Sequence, residues 1–221
     1  ARQIVDAAQA RGVFAMEALW SLCLPKFDVL RQLIDDGRLG EVHTVLADIG
    51  EFFNSDHRIL RRELAGGAML DLGTYPVALA TWLLGKPSSV AAVASQAPSG
   101  VTAQTGMLLT YAGGAQAILH ASLASGTPNN GVVTGSRGLV VLDAPFYHPG
   151  GLTFTDRDGH CGRYDEPRIG HLGLCYEAAE VARCVTAGLL ESPLRPLTDS
   201  VSSLEVMDAV RVLTADSFDM E

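Results

Sequence analysis

The stretch GGAMLDLGTYP, residues 66–76, places a glycine turn directly before a short apolar run of helical character. Asp71 and Tyr75 lie four residues apart in this stretch, so on one helix they would project from the same face. A carboxylate beside a phenol on one helix face suits proton transfer by a side chain. The stretch therefore predicts a helix from Asp71 to Leu84 that presents Asp71 and Tyr75 as a catalytic pair.

A purely structural interpretation of this pair is also open. A carboxylate near a helix N-terminus is stabilised by the helix dipole, and a tyrosine hydroxyl can anchor a helix to its surroundings. A catalytic tyrosine also needs help, because its ordinary pKa is about 10, and a lysine is the obvious partner. The chain has two lysines, Lys26 and Lys86, in sequence contexts that do not indicate catalysis. Lys86, in Gly85-Lys86-Pro87, has the pattern of a helix C-cap.

Several further motifs accompany the glycine turn along the chain. They are Met16-Glu17-Ala18-Leu19-Trp20, Asp56-His57-Arg58, Gly85-Lys86-Pro87, Gly135-Ser136-Arg137-Gly138, Tyr176-Glu177-Ala178 and Met207-Asp208-Ala209-Val210-Arg211. Together with residues 66–76 they resemble the Gfo/Idh/MocA oxidoreductases, in particular the branch that contains dimeric dihydrodiol dehydrogenase and certain xylose dehydrogenases. Most of that family carries a histidine where this chain has Tyr75, and the tyrosine is typical of that branch. The resemblance spans nearly the whole chain.

The resemblance implies an α+β fold. Its expected core is an open, mostly antiparallel sheet with helices packed on one face, as in the C-terminal domain of glucose-fructose oxidoreductase-like two-domain enzymes. It further implies the substrate and dimerisation domain of an NAD(P)-dependent oxidoreductase that acts on the CH-OH group of a sugar or a trans-dihydrodiol. Tyr75 would then transfer the hydroxyl proton, Asp71 would orient it, and a homodimer would form through the sheet face.

Trp20 and Arg58 are the candidate substrate-binding residues. An indole face is a good platform for a sugar ring or an aromatic diol, although Trp20 could equally be a core anchor between two domains. Arg58 lies in a basic cluster that also contains His57, and a guanidinium suits substrate or phosphate oxygens, whereas a solvated loop is the alternative. Leu22 stands where this branch often has an arginine, which argues against a substrate that needs that arginine.

The cofactor, NAD or NADP, is expected to bind mainly outside this chain. No predicted strand is followed by a Gly-x-Gly-x-x-Gly turn, the phosphate cradle of a dinucleotide-binding domain. In the family that domain ends in a Glu-Lys-Pro motif whose lysine works with the tyrosine. Residues 1–19 have the pattern of a helix ended by Gly12 and a short strand, Val13–Met16. We therefore expect a fragment, inactive alone, in which residues 1–19 are a remnant of the dinucleotide-binding domain and residues 20–221 form the α+β domain.

A binding or scaffold protein is the competing class of function. Such a family member would keep the sheet for association without redox chemistry. A glycine-rich phosphate turn and a Glu-Lys-Pro motif upstream of this chain would distinguish the enzyme from the scaffold, because only the enzyme needs them.

Composition limits the kinds of partner that we expect the protein to bind. The chain is 48% hydrophobic and 19% charged, as in ordinary globular proteins, and its net charge of −9 provides no basic patch for nucleic acid. Its apolar runs fall far short of the roughly 20 residues that a membrane helix needs. The cysteines include no C-x-x-C pair, which favours a reducing, cytoplasmic setting. The residues His160, Cys161, His171 and Cys175 match no paired zinc pattern, so we expect no metal.

The remaining pattern predicts a helix from Pro25 to Gly37, a strand from Glu41 to Phe53 with both faces covered, and two closing helices. Further strands are expected at 90–95, 101–111, 115–123, 131–134, 139–142 and 152–155. Glycines at 113–114 and 135–138 fit hairpins. The closing helices are expected at 171–190 and 198–215, with Thr198 as an N-cap, and residues 145–170 have the least regular pattern.

Overall fold

The computed structural model describes residues 1–214, which form one eight-stranded sheet and six α-helices. The helices are α1 (Arg2–Arg11), α2 (Pro25–Asp35), α3 (Ala68–Asp71), α4 (Thr74–Leu84), α5 (Leu174–Thr186) and α6 (Leu197–Leu213). The strands are β1 (Val42–Gly50), β2 (Ser89–Gln96), β3 (Thr102–Thr110), β4 (Gln116–Ser122), β5 (Gly131–Gly135), β6 (Gly138–Leu142), β7 (Leu152–Asp156) and β8 (Cys161–Tyr164). Ala215, the expected end of the last helix, and the end of the expected 20–221 domain lie outside the described residues.

The sheet is open and mostly antiparallel, as predicted. Its strand order is β2-β3-β4-β1-β5-β6-β7-β8, and β1 and β4 are the parallel pair among these neighbours. The glycine turns at 113–114 and 135–138 connect antiparallel strands, with Gly113 and Gly114 both at positive φ. These two hairpins were expected from the turn residues, which supply the backbone conformation that tight connections need.

One face of the sheet carries the core. Val45 and Ile49 of β1, Leu109 of β3 and Leu119 of β4 are buried there under α3 and α4, and α4 in turn packs on α6. Helix α4 is apolar on most sides, and a helix of that kind is stable only when it is covered by other elements. The prediction of helices packed on one face of the sheet is therefore confirmed.

The opposite face of the sheet is left uncovered by the described residues, 1–214. The register aligns Leu108, Ile118, Leu46, Val132 and Val141 in one row across β3, β4, β1, β5 and β6. Leu46 is 38% exposed and Ile118 is 51% exposed. The expectation that both faces of the first long strand are covered is thus wrong for the part of the chain that the structure describes.

Three predictions differ from the structure, and one further strand was not predicted. Residues 13–16 form no strand; the backbone N–H of Ala15 donates a single hydrogen bond to the carbonyl of Leu190. The first long strand ends at Gly50 rather than at residue 53. Thr198 lies inside α6, whose N-cap is Pro196, so Thr198 is not the cap. Strand β8 was not expected, since it lies in the segment of least regular pattern.

The predicted helix from Asp71 to Leu84 is divided in two. Helix α3 ends at Asp71 and α4 begins at Thr74. Pro76 lacks an N–H and is tolerated in the first turn of a helix, so a new helix can begin just before it. Gly73 lies in the break, where an added Cβ would come 2.6 Å from the carbonyl oxygen of Met69.

None of the helices in residues 1–214 has both the length and the apolarity that crossing a bilayer requires.

Candidate active site

Trp20 and Tyr75 meet between the segment that precedes α2 and the first turn of α4. The indole Nε1 of Trp20 donates a hydrogen bond to the Tyr75 hydroxyl over 3.3 Å. Trp20 is buried in a 3-10 turn, Trp20–Cys23, and its side chain is held there by the core. The structure therefore brings these two predicted site residues into direct contact.

Asp71 and Arg58 form an ion pair at the edge of this contact. Arg58 Nη2 lies 2.8 Å from Asp71 Oδ2, with the side chains 60% and 30% exposed. The negative charge of Asp71 also acts on the Tyr75 hydroxyl. The helix break makes the single-face geometry expected for Asp71 and Tyr75 wrong, yet the short connection keeps Asp71 near the phenol. The partner of the Arg58 side chain in the structure is Asp71.

Aromatic rings pack in a chain of contacts that includes Tyr75 and Trp20. The Tyr147 ring lies 4.9 Å from the Tyr75 ring, and the His148 ring packs edge-on against Trp20 at 5.1 Å. The His171 ring lies 5.1 Å from His148 and 6.1 Å from Trp20. We call these five residues, Trp20, Tyr75, Tyr147, His148 and His171, the aromatic cluster. Each member combines a flat ring with a polar atom at its edge, a combination that suits contacts with a ring-shaped polyol or an aromatic diol.

Tyr147, His148 and His171 were not predicted as members of the site. Tyr147 and His148 follow β6 in the segment of least regular pattern, and His171 was considered only as a zinc ligand. The run Phe146-Tyr147-His148 is the one local signal that could have identified them, since adjacent aromatic residues in a loop are often functional.

Burial, the Trp20 hydrogen bond and nearby carboxylates together determine the pKa of the Tyr75 hydroxyl. Burial is the main cause that raises the pKa of Tyr75, and the charges of Asp71, Glu51 and Glu177 raise it further, while the Trp20 hydrogen bond lowers it. Tyr75 is therefore a neutral phenol in this chain at pH 7. Tyr147 donates a hydrogen bond to Glu51, and burial followed by this bond raises the pKa of Tyr147 as well.

His148 is also uncharged near neutral pH. Burial is the main cause that lowers its pKa, and the neighbouring His171 lowers it further. A neutral imidazole has one donor and one acceptor nitrogen, so His148 can either donate a hydrogen bond to a hydroxyl group or accept one from it.

The two lysines have partners other than the Tyr75 hydroxyl. Lys86 Nζ lies 2.8 Å from Glu205 of α6, and Gly85 occupies the C-cap of α4 at positive φ. Lys86 therefore forms an ion pair, and its expected role as the C-cap is wrong. Lys26 is buried in α2 and donates to the backbone carbonyl of His148.

His160 and His171, which were considered as zinc ligands, have separate partners. His171 packs in the aromatic cluster, whereas His160 Nδ1 lies 3.0 Å from Asp156 in the β7–β8 turn. Asp156, Asp158 and His160 have ligand atoms within 4.8 Å of one another. Backbone N–H groups of Asp158 and His160 donate to Asp156, so this group is explained as a hydrogen-bonded turn.

Comparison with known proteins identifies the family. The model of the GFO/IDH/MocA C-terminal domain matches residues 27–141. The chain belongs to this family. It is 32% identical over 217 residues to the trans-1,2-dihydrobenzene-1,2-diol dehydrogenase of Oryctolagus cuniculus. That match covers 95% of this chain and 66% of the relative, so the chain spans less than two thirds of that protein.

Two solved structures share the fold. A 3-ketoreductase from Actinomadura kijaniata, in complex with NADP and TDP-benzene, superposes with a TM-score of 0.81 at 24% identity, covering 96% of this chain and 66% of that one. An aldose-aldose oxidoreductase from Caulobacter crescentus, complexed with glycerol, gives a TM-score of 0.69 at 26% identity, covering 84% of this chain and 57% of that one.

Proposed function

We propose that this chain is the substrate and dimerisation domain of an NAD(P)-dependent oxidoreductase that acts on the CH-OH group of a sugar or a trans-dihydrodiol. The observation that carries this proposal is the Tyr75 hydroxyl, buried among aromatic rings and bonded to Trp20. The relatives support it, because they include a diol dehydrogenase, a 3-ketoreductase and an aldose-aldose oxidoreductase.

The residues around Tyr75 suit a cationic neighbour. Its hydroxyl is subject to the negative charges of Asp71, Glu51 and Glu177. One carboxylate oxygen of Glu177 is buried without a hydrogen-bond partner. A positively charged nicotinamide ring or a lysine ammonium from another domain would be stabilised by these carboxylates and would lower the pKa of the phenol. When bound, the nicotinamide supplies or accepts the hydride. NAD and NADP fit this arrangement equally, since their difference lies away from the nicotinamide.

Each residue of the site has a separate role in the proposed mechanism. Tyr75 gives a proton to the substrate oxygen in reduction and takes it back in oxidation. Trp20 donates to the Tyr75 oxygen and so stabilises the phenolate. Asp71, held by Arg58, orients the proton network, while Tyr147 and His148 bind the substrate ring and exclude water.

The domain organisation is part of the same proposal. Residues 1–19 would belong to the dinucleotide-binding domain and residues 20–221 to the substrate domain. Because this sequence contains no glycine-rich phosphate turn, the chain alone should show no micromolar affinity for NAD(P)H in a calorimetric titration. Tight binding of the cofactor by these 221 residues would contradict the division.

A substrate screen tests the proposed activity. The protein that contains both domains is incubated with NAD⁺ or NADP⁺ and a panel of trans-dihydrodiols and aldoses, and formation of the reduced nicotinamide is followed by its absorbance. Turnover with a member of either class supports the enzyme. An intact cofactor site without turnover on any diol or sugar supports the scaffold alternative.

The uncovered sheet face supports a homodimer. The row Leu108, Ile118, Leu46, Val132 and Val141 is apolar along five adjacent strands, and a second copy of the same face would cover it symmetrically. The four free cysteines support a reducing, cytoplasmic setting. The negative net charge supports small-molecule partners rather than nucleic acid.

A further inference from the structure

Lys26 is a buried lysine that contacts the loop of the aromatic cluster. It lies in the first turn of α2, and its residue exposure is 0%. Its Nζ donates a hydrogen bond to the backbone carbonyl of His148. An ammonium group loses strong hydration when it is buried, so a lysine at such a position needs interactions that compensate for this loss.

Glu166 completes a connection between α2 and the same loop. The backbone N–H of Lys26 donates to Glu166 Oε2 over 2.8 Å, and the backbone N–H of Gly150 donates to Glu166 Oε1 over 3.1 Å. Lys26 and Glu166 thus hold the backbone of residues 148–150 at both ends. We call these two residues the loop clamp.

The loop clamp joins two parts of the Tyr75 site. Helix α2 follows the turn that carries Trp20, while residues 146–150 carry Tyr147 and His148. The His148 ring packs on Trp20, and the Tyr147 ring packs on Tyr75. A shift of the His148 carbonyl would therefore displace both rings from the Tyr75 hydroxyl.

We propose that Lys26 is a positioning residue of the Tyr75 site, whose protonated amine fixes residues 148–150 and thereby holds Tyr147 and His148 against Tyr75 and Trp20. The catalytic part of this inference rests on the proposed function, whereas the positioning part concerns the order of the loop and is measured without substrate.

The charges around Lys26 connect the loop clamp to pH. Burial is the main cause that lowers the pKa of Lys26 to about 8; Glu166 and Asp143 oppose this effect, and Arg168 reinforces it. His148 contributes its carbonyl, and its imidazole is neutral at this pH. A charged amine makes a stronger hydrogen bond to a carbonyl than a neutral one does. The contact to His148 should consequently weaken as Lys26 loses its proton.

Labelling of lysine measures this titration directly. Because the chain has two lysines, the Cε–H signals of a ¹³C-lysine sample are two in number, and Lys86→Met assigns them. We expect the Lys26 signal to titrate with a midpoint near pH 8. The chain also has two tryptophans, so the indole N–H of Trp20 is readily assigned. Its signal and that of the His148 ring should move with the Lys26 midpoint.

A matched pair of variants separates positioning from general effects. Lys26→Met keeps most of the apolar stem and removes the charge, whereas Lys86→Met removes an exposed amine. In Lys26→Met, the Trp20 and His148 signals should be shifted at pH 7 and should lose the transition near pH 8; in Lys86→Met, both should match the unmodified chain. In the two-domain protein, Lys26→Met should raise KM about tenfold at pH 7 with a smaller change in kcat.

The titration of the unmodified chain tests whether Lys26 positions the loop even if Lys26→Met does not fold. If Trp20 and His148 stay fixed while Lys26 titrates, Lys26 does not position the loop. If they move with Lys26 but the two-domain protein has no activity on any substrate of the panel, positioning stands and the proposed function is wrong.

Discussion

The Trp20 indole donates a hydrogen bond to the Tyr75 hydroxyl across 3.3 Å, and this bond has one possible direction. An indole N–H is a donor only, so the Tyr75 oxygen must accept, and the hydroxyl hydrogen of Tyr75 remains available for a second partner. A substrate oxygen in the aromatic cluster is the natural second partner. The geometry thus leaves the Tyr75 hydroxyl hydrogen free for the proton transfer proposed for this residue.

Tyr75→Phe should lower turnover of the two-domain protein by about 10²- to 10⁴-fold, the usual size of a lost general acid–base contribution. Folding should change little, because the ring and its packing on Tyr147 remain. Steady-state kinetics measures the loss. Tyr111→Phe is the control, since the Tyr111 hydroxyl is buried without a partner and its removal should leave turnover unchanged. Turnover of Tyr75→Phe within about threefold of the unmodified protein would exclude Tyr75 as the proton donor.

Trp20→Phe should lower turnover roughly tenfold, because it removes a hydrogen bond that favours the phenolate, worth about 1–1.5 kcal/mol. The Trp20 bond lowers the pKa of Tyr75, so its loss should move the Tyr75 ionisation to higher pH. A pH profile of kcat/KM measures this shift. Trp82→Phe, in a tryptophan that packs on Phe27, should leave the profile in place. An unchanged ionisation in Trp20→Phe would show that the indole bond has no role in tuning the phenol.

The strands and the hairpins could be predicted because their signals are local. Alternation of apolar residues and paired glycines depend on a few neighbouring positions, and residues 131–134 and 139–142 became β5 and β6 nearly as expected. Tyr75 and Trp20 were found through motifs, which again are local. The break between α3 and α4 was missed because the apolar pattern continues across it, while Pro76 and Gly73 interrupt the backbone.

The other half of the candidate site depends on contacts that no local pattern shows. His148 reaches Trp20 because Lys26, 122 positions earlier, donates to its carbonyl. Lys26 itself has an ordinary place in an amphipathic helix, and only the fold reveals that its amine is buried. The acidic surroundings of Tyr75 are likewise assembled from Glu51, Asp71 and Glu177, which lie on separate elements.

Arg58 and Asp71 should act as one unit in catalysis. If Arg58 works by holding Asp71, then Arg58→Gln and Asp71→Asn should each reduce kcat/KM, and the double variant should lose little more than the worse single variant. Stability should change by less than about 1 kcal/mol, because the pair is partly exposed to solvent. A double-mutant cycle on kcat/KM gives the coupling. Additive losses would instead assign Arg58 a separate contact with the substrate.

Lys26 should make the stability of the chain rise with pH in the alkaline range. Its pKa is lowered to about 8 in the folded chain. Between about pH 8 and the ordinary lysine value of about 10.4, the unfolded chain binds a proton that the folded chain has released, so the free energy of unfolding increases with pH, by up to roughly 3 kcal/mol.

Lys26→Met tests this pH dependence by difference. The variant should lack the alkaline rise, and at pH 7 it should be as stable as the unmodified chain or more so, because a buried charge is removed. Urea unfolding at pH 7 and at pH 10 measures both values. The Cys23 thiol, whose pKa burial raises to about 12, has an opposite effect that is common to both proteins and cancels. Equal pH dependence in the two proteins would mean that the buried amine keeps an ordinary pKa.

The uncovered sheet face should join two copies of the chain. Ile118 pairs in register with Leu46 and with Leu108, so it lies in the middle of the apolar row. Ile118→Asp would place a carboxylate between two apolar surfaces, where it would lose its hydration without a partner. We expect the unmodified chain to have the mass of a dimer in light scattering at micromolar concentration and Ile118→Asp to have the mass of a monomer. Val212→Asp, on the exposed side of α6, should remain dimeric. A dimer that survives Ile118→Asp would place the interface on another surface, and a monomeric unmodified chain would mean that this face alone does not bring two copies together.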